Sequence, residues 1–162
     1  MLCMSDTNNP SIHLHSDSPE QTEKIAAAMA SECPDAAVLY LHGALGAGKS
    51  TFARAFLRAL GVQGAIKSPT YTLLEAYVLP GGLDAVHMDC YRMAQPDEVD
   101  FLAMDAFDGR MKVLLVEWPE KAAGRLAPPD VEIHLEMAGE GRSLALRAVS
   151  DKGRNWLNSG GY

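Results

Sequence analysis

Cysteine is scarce in this sequence, and long apolar runs are absent from it. The three cysteines, Cys3, Cys33 and Cys90, lie far apart and form no paired metal-ligand spacing, which excludes a disulfide-rich scaffold and a cysteine-based zinc motif. No apolar run approaches the roughly 18 to 20 residues of a membrane-spanning helix, and residues 1–16 lack the basic start and apolar centre of a signal peptide. The sequence therefore predicts a cytoplasmic protein with reduced thiols and no membrane contact.

Basic charge is also in short supply, because 14 Lys and Arg against 21 Asp and Glu give a net charge of −7. Broad nucleic-acid binding needs clustered basic side chains, so we expect partner proteins to make any contact with nucleic acid. The net charge does not exclude a local basic patch on this protein. With 162 residues, 48% of them apolar and 22% charged, the chain fits one globular domain. We expect that domain to span residues 1–162, with loose termini at 1–10 and 158–162.

Hydrophobic periodicity predicts alternating strands and helices. Residues 37–41 and 113–116 are almost wholly apolar, which is typical of central strands in a parallel sheet covered on both faces. Residues 131–137 and 143–149 alternate around a Gly-Glu-Gly turn, which predicts a hairpin. The expected fold class is α/β, a single domain with a mixed, mostly parallel sheet flanked by helices. The other predicted elements are strands at 12–15, 71–79 and 85–88 and helices at 19–33, 50–60, 96–104 and 151–157.

A glycine-rich loop follows the first buried strand. Residues 43–50 read Gly-Ala-Leu-Gly-Ala-Gly-Lys-Ser and match the pattern G-x-x-x-x-G-K-[ST] between a strand and a helix. The glycines permit backbone angles that let N–H groups point at phosphate oxygens, and the helix start adds its positive end. Lys49 supplies a mobile cation for the β- and γ-phosphates, and the hydroxyl of Ser50 can bind Mg²⁺. The loop predicts a P-loop NTPase-like domain, with ATP as the expected nucleotide.

Two later strands end in a carboxylate. Asp89 follows residues 85–88 and Glu117 follows residues 113–116, so both are expected at the carboxyl edge of the sheet, where ligands of open α/β sheets bind. One of them can hold Mg²⁺, and the other can orient or deprotonate an attacking water. The alternative interpretation is that each caps the next helix or pairs with Arg92.

Weaker patterns leave their alternatives open. Thr70, in a Ser-Pro-Thr turn, occupies the place where GTP-binding switches put a threonine that senses Mg²⁺, but on position alone an ordinary turn fits equally well. The five histidines show no metal-ligand spacing, and His134 is interpreted as a surface or core residue of an alternating strand. Some aromatic side chains can stack a nucleotide base, although ordinary packing is the simpler interpretation. These are Tyr71, Tyr77, Tyr91 and Trp118.

Four sequence blocks resemble the TsaE family, the ATPase component of tRNA threonylcarbamoyladenosine biosynthesis. They are L-H-G-A-L-G-A-G-K-S-T-F at residues 41–52, K-S-P-T-Y-T-L at 67–73, M-D-C-Y-R at 88–92 and V-E-W-P at 116–119. The S-P-T, D-x-Y-R and E-W-P blocks, in this order and spacing after the loop, are specific to that family. The resemblance covers residues 18–149.

Carried over position by position, the resemblance implies roles for individual residues. Lys49, Asp89 and Glu117 become the catalytic residues, with Asp89 required for ATP turnover. Ser50 and Glu117 become the Mg²⁺ ligands, and Trp118 matches an aromatic residue beside the catalytic Glu. The implied ATP contacts are Gly46, Ala47, Gly48, Lys49, Ser50, Thr51, Thr70, Asp89, Gly141 and Arg142.

The chain departs from the family pattern at three positions. Ala44 stands where the family commonly has Asp, Ser50 where Thr is usual, and Cys90 where Leu is usual. Serine keeps the hydroxyl, so Mg²⁺ binding is expected to survive. Because Ala44 replaces an aspartate, one negative charge beside the loop is absent. We expect this to affect the rate of ATP turnover rather than ATP binding.

The resemblance also implies partners, TsaB and TsaD. In this family TsaD transfers the threonylcarbamoyl group to the adenosine beside the tRNA anticodon, while ATP hydrolysis resets the TsaB–TsaD pair, so tRNA is contacted only indirectly. A phosphate loop alone does not specify the reaction, and three alternatives stand beside this one. The first is a small-molecule kinase, although residues 94–130 lack an arginine-rich lid. The second is a GTP switch, although the N-K-x-D motif for guanine recognition is missing and no D-x-x-G motif follows the strand that ends in the Mg²⁺ carboxylate. The third is a nucleotide-bound scaffold.

Overall fold

The structure of the protein, a computed structural model, describes residues 2–3 and 11–162. This part of the chain contains both strands and helices. The strands are β1 (Leu2–Cys3), β2 (Ser11–Ser16), β3 (Ala37–His42), β4 (Leu74–Val78), β5 (Asp84–Asp89), β6 (Met111–Glu117), β7 (Val131–Ala138) and β8 (Gly141–Ala148). The α-helices are α1 (Pro19–Ser31), α2 (Lys49–Leu60) and α3 (Asp151–Ser159), and 3₁₀ helices span Pro96–Phe101, Met104–Phe107 and Pro119–Ala122.

The strands form one mixed sheet in the order β1-β2-β8-β7-β3-β6-β5-β4. Its four central strands, β7, β3, β6 and β5, run parallel, whereas the outer pairings are antiparallel. The predicted α/β fold with a mixed sheet flanked by helices is confirmed. Among the described strands, however, antiparallel pairings outnumber parallel ones by four to three. The expected parallel majority is not reached because short turns join β4 to β5 and β7 to β8 as antiparallel pairs, and β2 pairs with β8 in the antiparallel direction as well.

The central strands are buried on both faces of the sheet. On one face Leu39 and Leu115 are fully covered, and they pack in one cluster with Phe52 and Phe56 of α2 and Trp156 of α3. Complete burial of such a side chain contributes about 1.5–3 kcal/mol, so this layer anchors α2 to the sheet. A second, smaller cluster on the opposite face packs beneath the 3₁₀ helices.

Local chemistry sets the ends of the first two helices. Ser18 caps α1, because its side chain accepts a hydrogen bond from the backbone N–H of Gln21 at 3.2 Å. Gly61 ends α2 with a left-handed φ of 109° and donates its N–H to the carbonyl of Arg58. Both boundaries agree with the sequence prediction.

Two predicted elements differ from the observed ones. The strand expected from residue 71 begins at Leu74, because the N–H of Leu73 donates to the carbonyl of Pro69 at 2.8 Å and closes a turn. The helix expected over residues 96–104 is instead two 3₁₀ helices, and Ala103 between them adopts a left-handed φ of 51°. Both departures are short-range turns that hydrophobic periodicity does not detect.

The C-terminal helix continues past residue 157, where the sequence predicted its end. Asn158 and Ser159 belong to α3, and Tyr162 packs against the main core cluster. The loose end expected at residues 158–162 stays a prediction. The prediction for residues 1–10 falls outside the described residues, apart from Leu2 and Cys3 in β1. None of the helices in the described ranges is both long enough and apolar enough to span a membrane.

Candidate active site

The loop at residues 43–48 connects β3 to the first turn of α2. Gly46 and Gly48 adopt φ angles of 80° and 104°, which residues with a Cβ resist. At Gly43 the reason for glycine is packing as well as φ, since a Cβ there would lie 2.6 Å from the carbonyl oxygen of Leu135 in β7. Backbone geometry therefore requires glycine at these positions, and the loop lies tightly against the sheet.

Lys49 begins α2, and its side chain lies back over the loop. Its Nζ donates hydrogen bonds to the carbonyls of Gly43 at 2.5 Å and Ala44 at 3.0 Å, and it lies 4.4 Å from the centre of the Trp118 ring. Burial lowers the pKa of Lys49, and the nearby Glu117 carboxylate works in the opposite direction. A poorly hydrated ammonium group of this kind attracts an anionic ligand more strongly than an exposed one does.

Asp89 and Glu117 end two adjacent parallel strands and stand in register with each other. Only 7% of Asp89 and 3% of Glu117 is exposed. Oε2 of Glu117 lies 2.8 Å from Nε2 of His87, and Oδ1 of Asp89 accepts the backbone N–H of Tyr91 at 3.0 Å. The two carboxylates thus meet at the carboxyl edge of the sheet, as the sequence predicted.

The glycine loop and both carboxylates open onto one cavity of about 510 Å³. This volume lies within the range of roughly 300–1,000 Å³ that is usual for small-molecule sites. A slightly larger cavity, about 580 Å³, opens near Val38 and Leu114 at the other end of the parallel strands, and it is lined by none of the sequence-predicted site residues. The predicted residues that line the first cavity are Gly46, Gly48, Lys49, Ser50, Thr51, Thr70, Asp89, Glu117 and Arg142.

Two predicted contact residues lie outside the lining of this cavity. Ala47 is 1% exposed and packs into the main core beneath the loop. Gly141 begins β8, where a Cβ would collide with the carbonyl oxygen of Ser16. Its neighbour Arg142 does reach the loop and donates to the carbonyl of Gly46 at 3.1 Å. The absence of a side chain at Gly141 therefore lets β8 pack closely against β2, and its role as an ATP contact stays a prediction.

Aromatic side chains flank the open side of the cavity. Tyr71 is 81% exposed, and the guanidinium of Arg92 lies 4.5 Å from the centre of its ring. The rings of Tyr91 and Trp118 contact each other with 4.9 Å between centres. Arg92 thus contacts an aromatic ring rather than Glu117, which removes one alternative interpretation of that carboxylate. Thr70 lies nearby in the turn that precedes β4.

His87 is a site residue that the sequence reasoning missed. It is 3% exposed, and while Nε2 contacts Glu117, its Nδ1 has no hydrogen-bond partner within the described part of the chain. The available signal was the period of two along β5, which puts His87 on the same sheet face as Asp89. This signal predicts a contact between His87 and Glu117 only when β6 is known to lie beside β5. The ring of His87 contacts the Glu117 carboxylate directly, which restricts the orientation of that carboxylate.

Replacing Asp89 by Asn is expected to raise the melting temperature at neutral pH in metal-free buffer. Burial raises the pKa of Asp89 above its ordinary value of 3.8, and repulsion from Glu117 adds to the rise. As the pH increases through 3.8 the unfolded chain ionises this carboxyl more readily than the folded chain, so the free energy of unfolding falls. Calorimetric melting curves across the acidic and neutral range should show the advantage of Asp89→Asn disappearing below that pH.

Asp108→Asn is the matched control, since Asp108 is exposed and its replacement should leave the melting temperature nearly unchanged. A neutral-pH melting temperature for Asp89→Asn at or below that of the wild type would contradict the expected cost of ionisation.

These features define a class: a single-domain α/β protein with a glycine-rich loop and two carboxylates at the carboxyl edge of its parallel strands. Within that class, the chain belongs to the TsaE family. The model of this family, described as threonylcarbamoyl adenosine biosynthesis protein TsaE, matches residues 16–144. The family resemblance inferred from the sequence blocks is therefore confirmed.

Individual relatives agree with this assignment. The TsaE protein of Haemophilus influenzae is 37% identical over 124 residues, which cover 76% of this chain and 78% of that protein. The TsaE protein of Bacillus subtilis is 36% identical over 135 residues, which cover 83% and 84%. A crystal structure of YdiB from Bacillus subtilis superposes with a TM-score of 0.77 at 28% identity, covering 98% of this chain and 94% of that one.

Proposed function

We propose that this protein binds ATP with Mg²⁺ in the cavity beside the glycine loop and hydrolyses it in the service of tRNA threonylcarbamoyladenosine biosynthesis. The observation that carries the proposal is the convergence of Lys49, Asp89 and Glu117 on one cavity with that loop. Membership of the TsaE family supports the choice of pathway.

The loop and its flanking cations provide the phosphate grip. The N-terminus of α2 carries about half a positive charge and directs N–H groups towards the cavity. Lys49 can exchange its hydrogen bonds to the carbonyls of Gly43 and Ala44 for bonds to the β- and γ-phosphate oxygens. Arg142, held against the carbonyl of Gly46, adds a second positive charge at the same cavity.

The residues at the cavity fit a magnesium ion. Mg²⁺ prefers oxygen ligands, and the Ser50 hydroxyl and Glu117 carboxylate both line the cavity. Burial raises the pKa of Asp89, and the nearby Glu117 carboxylate adds to the rise, so a cation held at this cavity would offset the repulsion between the two carboxylates. When bound, Mg²⁺ neutralises charge that develops on the transferring phosphoryl group.

Asp89 takes the remaining role, which is to orient the attacking water and accept its proton. Geometry supports this division, because Oδ1 of Asp89 is fixed by the N–H of Tyr91 and the carboxylate faces the cavity. Burial raises the pKa of Asp89, and a carboxylate with a raised pKa is a better general base at neutral pH.

The geometry disfavours a small-molecule kinase. Such an enzyme closes an arginine-rich lid over the phosphates, and residues 94–130 are the segment that would supply it. In this structure Arg110 pairs with Asp84 at 2.8 Å and Arg125 pairs with Asp100 at 3.1 Å. Neither arginine lines the cavity.

The proposed partners are TsaB and TsaD, with ATP hydrolysis resetting that pair between rounds of threonylcarbamoyl transfer. The protein itself does not transfer the group, and it meets tRNA only through the complex. Its net charge of −7 agrees with leaving contact with nucleic acid to partners. This proposal places the protein in the cytoplasm.

Phosphate release from ATP, measured with the protein alone and with the TsaB–TsaD pair, tests the proposal. Hydrolysis should be slow alone and about tenfold or more faster with the pair, equivalent to about 1.4 kcal/mol of barrier. Equal rates in the two conditions would contradict partner dependence, and phosphate transfer to a small acceptor would identify a kinase instead. ATP binding without turnover in either condition would identify a nucleotide-bound scaffold. Competition between ATP and GTP decides the nucleotide.

A further inference from the structure

Two histidines face each other across β3 and β7, on the sheet face away from α2. His42 and His134 are register partners on these parallel strands. Their rings stack with 4.4 Å between centres and an angle of 6° between planes. Glu132 lies two residues before His134 and therefore shares its face of β7. Strand pairing brings these three side chains together, although nothing in their sequence spacing indicates it.

The donor atoms of this cluster lie close together and are not fully paired. One nitrogen or oxygen from each of His42, Glu132 and His134 lies within 4.8 Å of the others. Nε2 of His42 is 3.4 Å from Oε1 of Glu132, yet this nitrogen is buried and has no hydrogen-bond partner among residues 2–3 and 11–162. A buried polar atom without a partner is unfavourable, which points to a ligand at this position.

We propose that His42, His134 and Glu132 bind a divalent transition metal ion of borderline softness, such as Zn²⁺. Two imidazoles and one carboxylate are a donor set that zinc accepts, whereas Mg²⁺ and Ca²⁺ require mostly oxygen ligands. Donors held about 2.1 Å from a tetrahedral zinc stand about 3.4 Å apart, so small side-chain rotations close the observed cluster. His134 is exposed, which leaves a coordination position open to water.

Glu120 completes the site as a positioning residue. It belongs to the 3₁₀ helix Pro119–Ala122, and its Oε2 lies 3.7 Å from Nδ1 of His42. A histidine that binds a metal through one nitrogen usually donates its other N–H to a carboxylate, which holds the ring in place. Nε2 of His42 faces Glu132, so the two nitrogens of His42 fit these two different roles.

The site is separate from the proposed Mg²⁺ site but is connected to the same loop. His42 directly precedes Gly43, and Glu120 follows Glu117 by three residues. Because Leu41 and Glu117 lie on the α2 side of the sheet and His42 lies on the other, a metal on His42 would leave the ATP cavity open. The metal ion would link the start of the glycine loop to β7 through His42 and His134.

Zinc binding by the untagged full-length protein tests this inference. The protein is stripped with a chelator and titrated with Zn²⁺ by calorimetry in excess Mg²⁺. We expect one zinc per chain, with His42→Ala and His134→Ala each weakening the affinity about 100-fold or more and Glu120→Gln weakening it about tenfold. His13→Ala is the matched control, since His13 is exposed on β2, and it should bind zinc as the wild type does.

Two further measurements guard against loss of folding in the variants. Glu132→Gln keeps the shape of the side chain and should still weaken zinc binding about tenfold or more, while circular dichroism confirms its fold. Zn²⁺ should raise the melting temperature of the wild type and of Glu117→Gln, but not that of His42→Ala. Failure of the wild type to bind Zn²⁺, or wild-type affinity in both histidine variants, would overturn the proposal.

Discussion

Replacing Lys49 by Ala is expected to reduce ATP hydrolysis in the presence of TsaB and TsaD by about 100-fold or more. Burial lowers the pKa of Lys49, and the nearby carboxylates of Glu117 and Asp89 oppose that change, so its ammonium group lies within the field of both acids. Without this positive charge, the negative phosphates of ATP would be repelled more strongly by the carboxylates of Asp89 and Glu117. Phosphate release measures the loss of turnover, and displacement of a fluorescent ATP analogue measures the accompanying loss of affinity.

Lys112→Ala is the matched control for this variant. Lys112 lies near the start of β6, at the opposite end of the strand from Glu117, and pairs with Asp35 at 2.8 Å. A surface ion pair of this kind contributes about 0–1 kcal/mol to stability, so hydrolysis should stay at the wild-type rate. A folded Lys49→Ala variant that hydrolyses ATP as fast as Lys112→Ala would show that Lys49 does not hold the phosphates.

Replacing Glu117 by Gln is expected to reduce turnover by about 100-fold or more while leaving metal-free ATP binding intact. Glutamine keeps the volume and an acceptor oxygen for His87, which lies 2.8 Å from Oε2 in the wild type, so the fold of this edge should survive. The negative charge that attracts Mg²⁺ is lost. Single-turnover hydrolysis measured over a series of Mg²⁺ concentrations separates the loss of metal affinity from the loss of chemistry.

Two companion variants sharpen this test. Glu23→Gln removes an exposed carboxylate of α1 and should leave both turnover and its Mg²⁺ dependence unchanged. His87→Gln removes the ring that orients Glu117 and should shift the Mg²⁺ dependence with a smaller loss of rate, about tenfold. Full turnover in a folded Glu117→Gln protein would assign the metal to other ligands and contradict the role given to this carboxylate.

Much of the site could be predicted from short sequence patterns because its chemistry is local. The glycines at 46 and 48 are required by backbone geometry within one turn, and Lys49 follows directly at the helix start. Asp89 and Glu117 were placed correctly because each ends an apolar strand, and parallel strands bring their carboxyl ends to one edge. Helix ends at Ser18 and Gly61 were likewise predictable from their own capping chemistry.

The residues that sequence reasoning missed depend on contacts between distant parts of the chain. His87 meets Glu117 across 30 residues of sequence, and the five-histidine pattern carried no indication of the pair at His42 and His134. The need for glycine at position 141 likewise comes from a distant contact, because a Cβ there would collide with the carbonyl oxygen of Ser16 in β2. In each instance the deciding fact is which strand lies beside which.

The sequence by itself determined the class of fold, the glycine loop and the two strand-end carboxylates, since these follow from hydrophobic periodicity, backbone freedom and motif spacing within a few residues. Only the tertiary structure decided the share of antiparallel pairing in the sheet, the contact between His87 and Glu117, and the cluster of His42, Glu132 and His134. The physical reason is strand register: a shift of one residue turns every side chain to the other face, and register is set by the packing of the whole core.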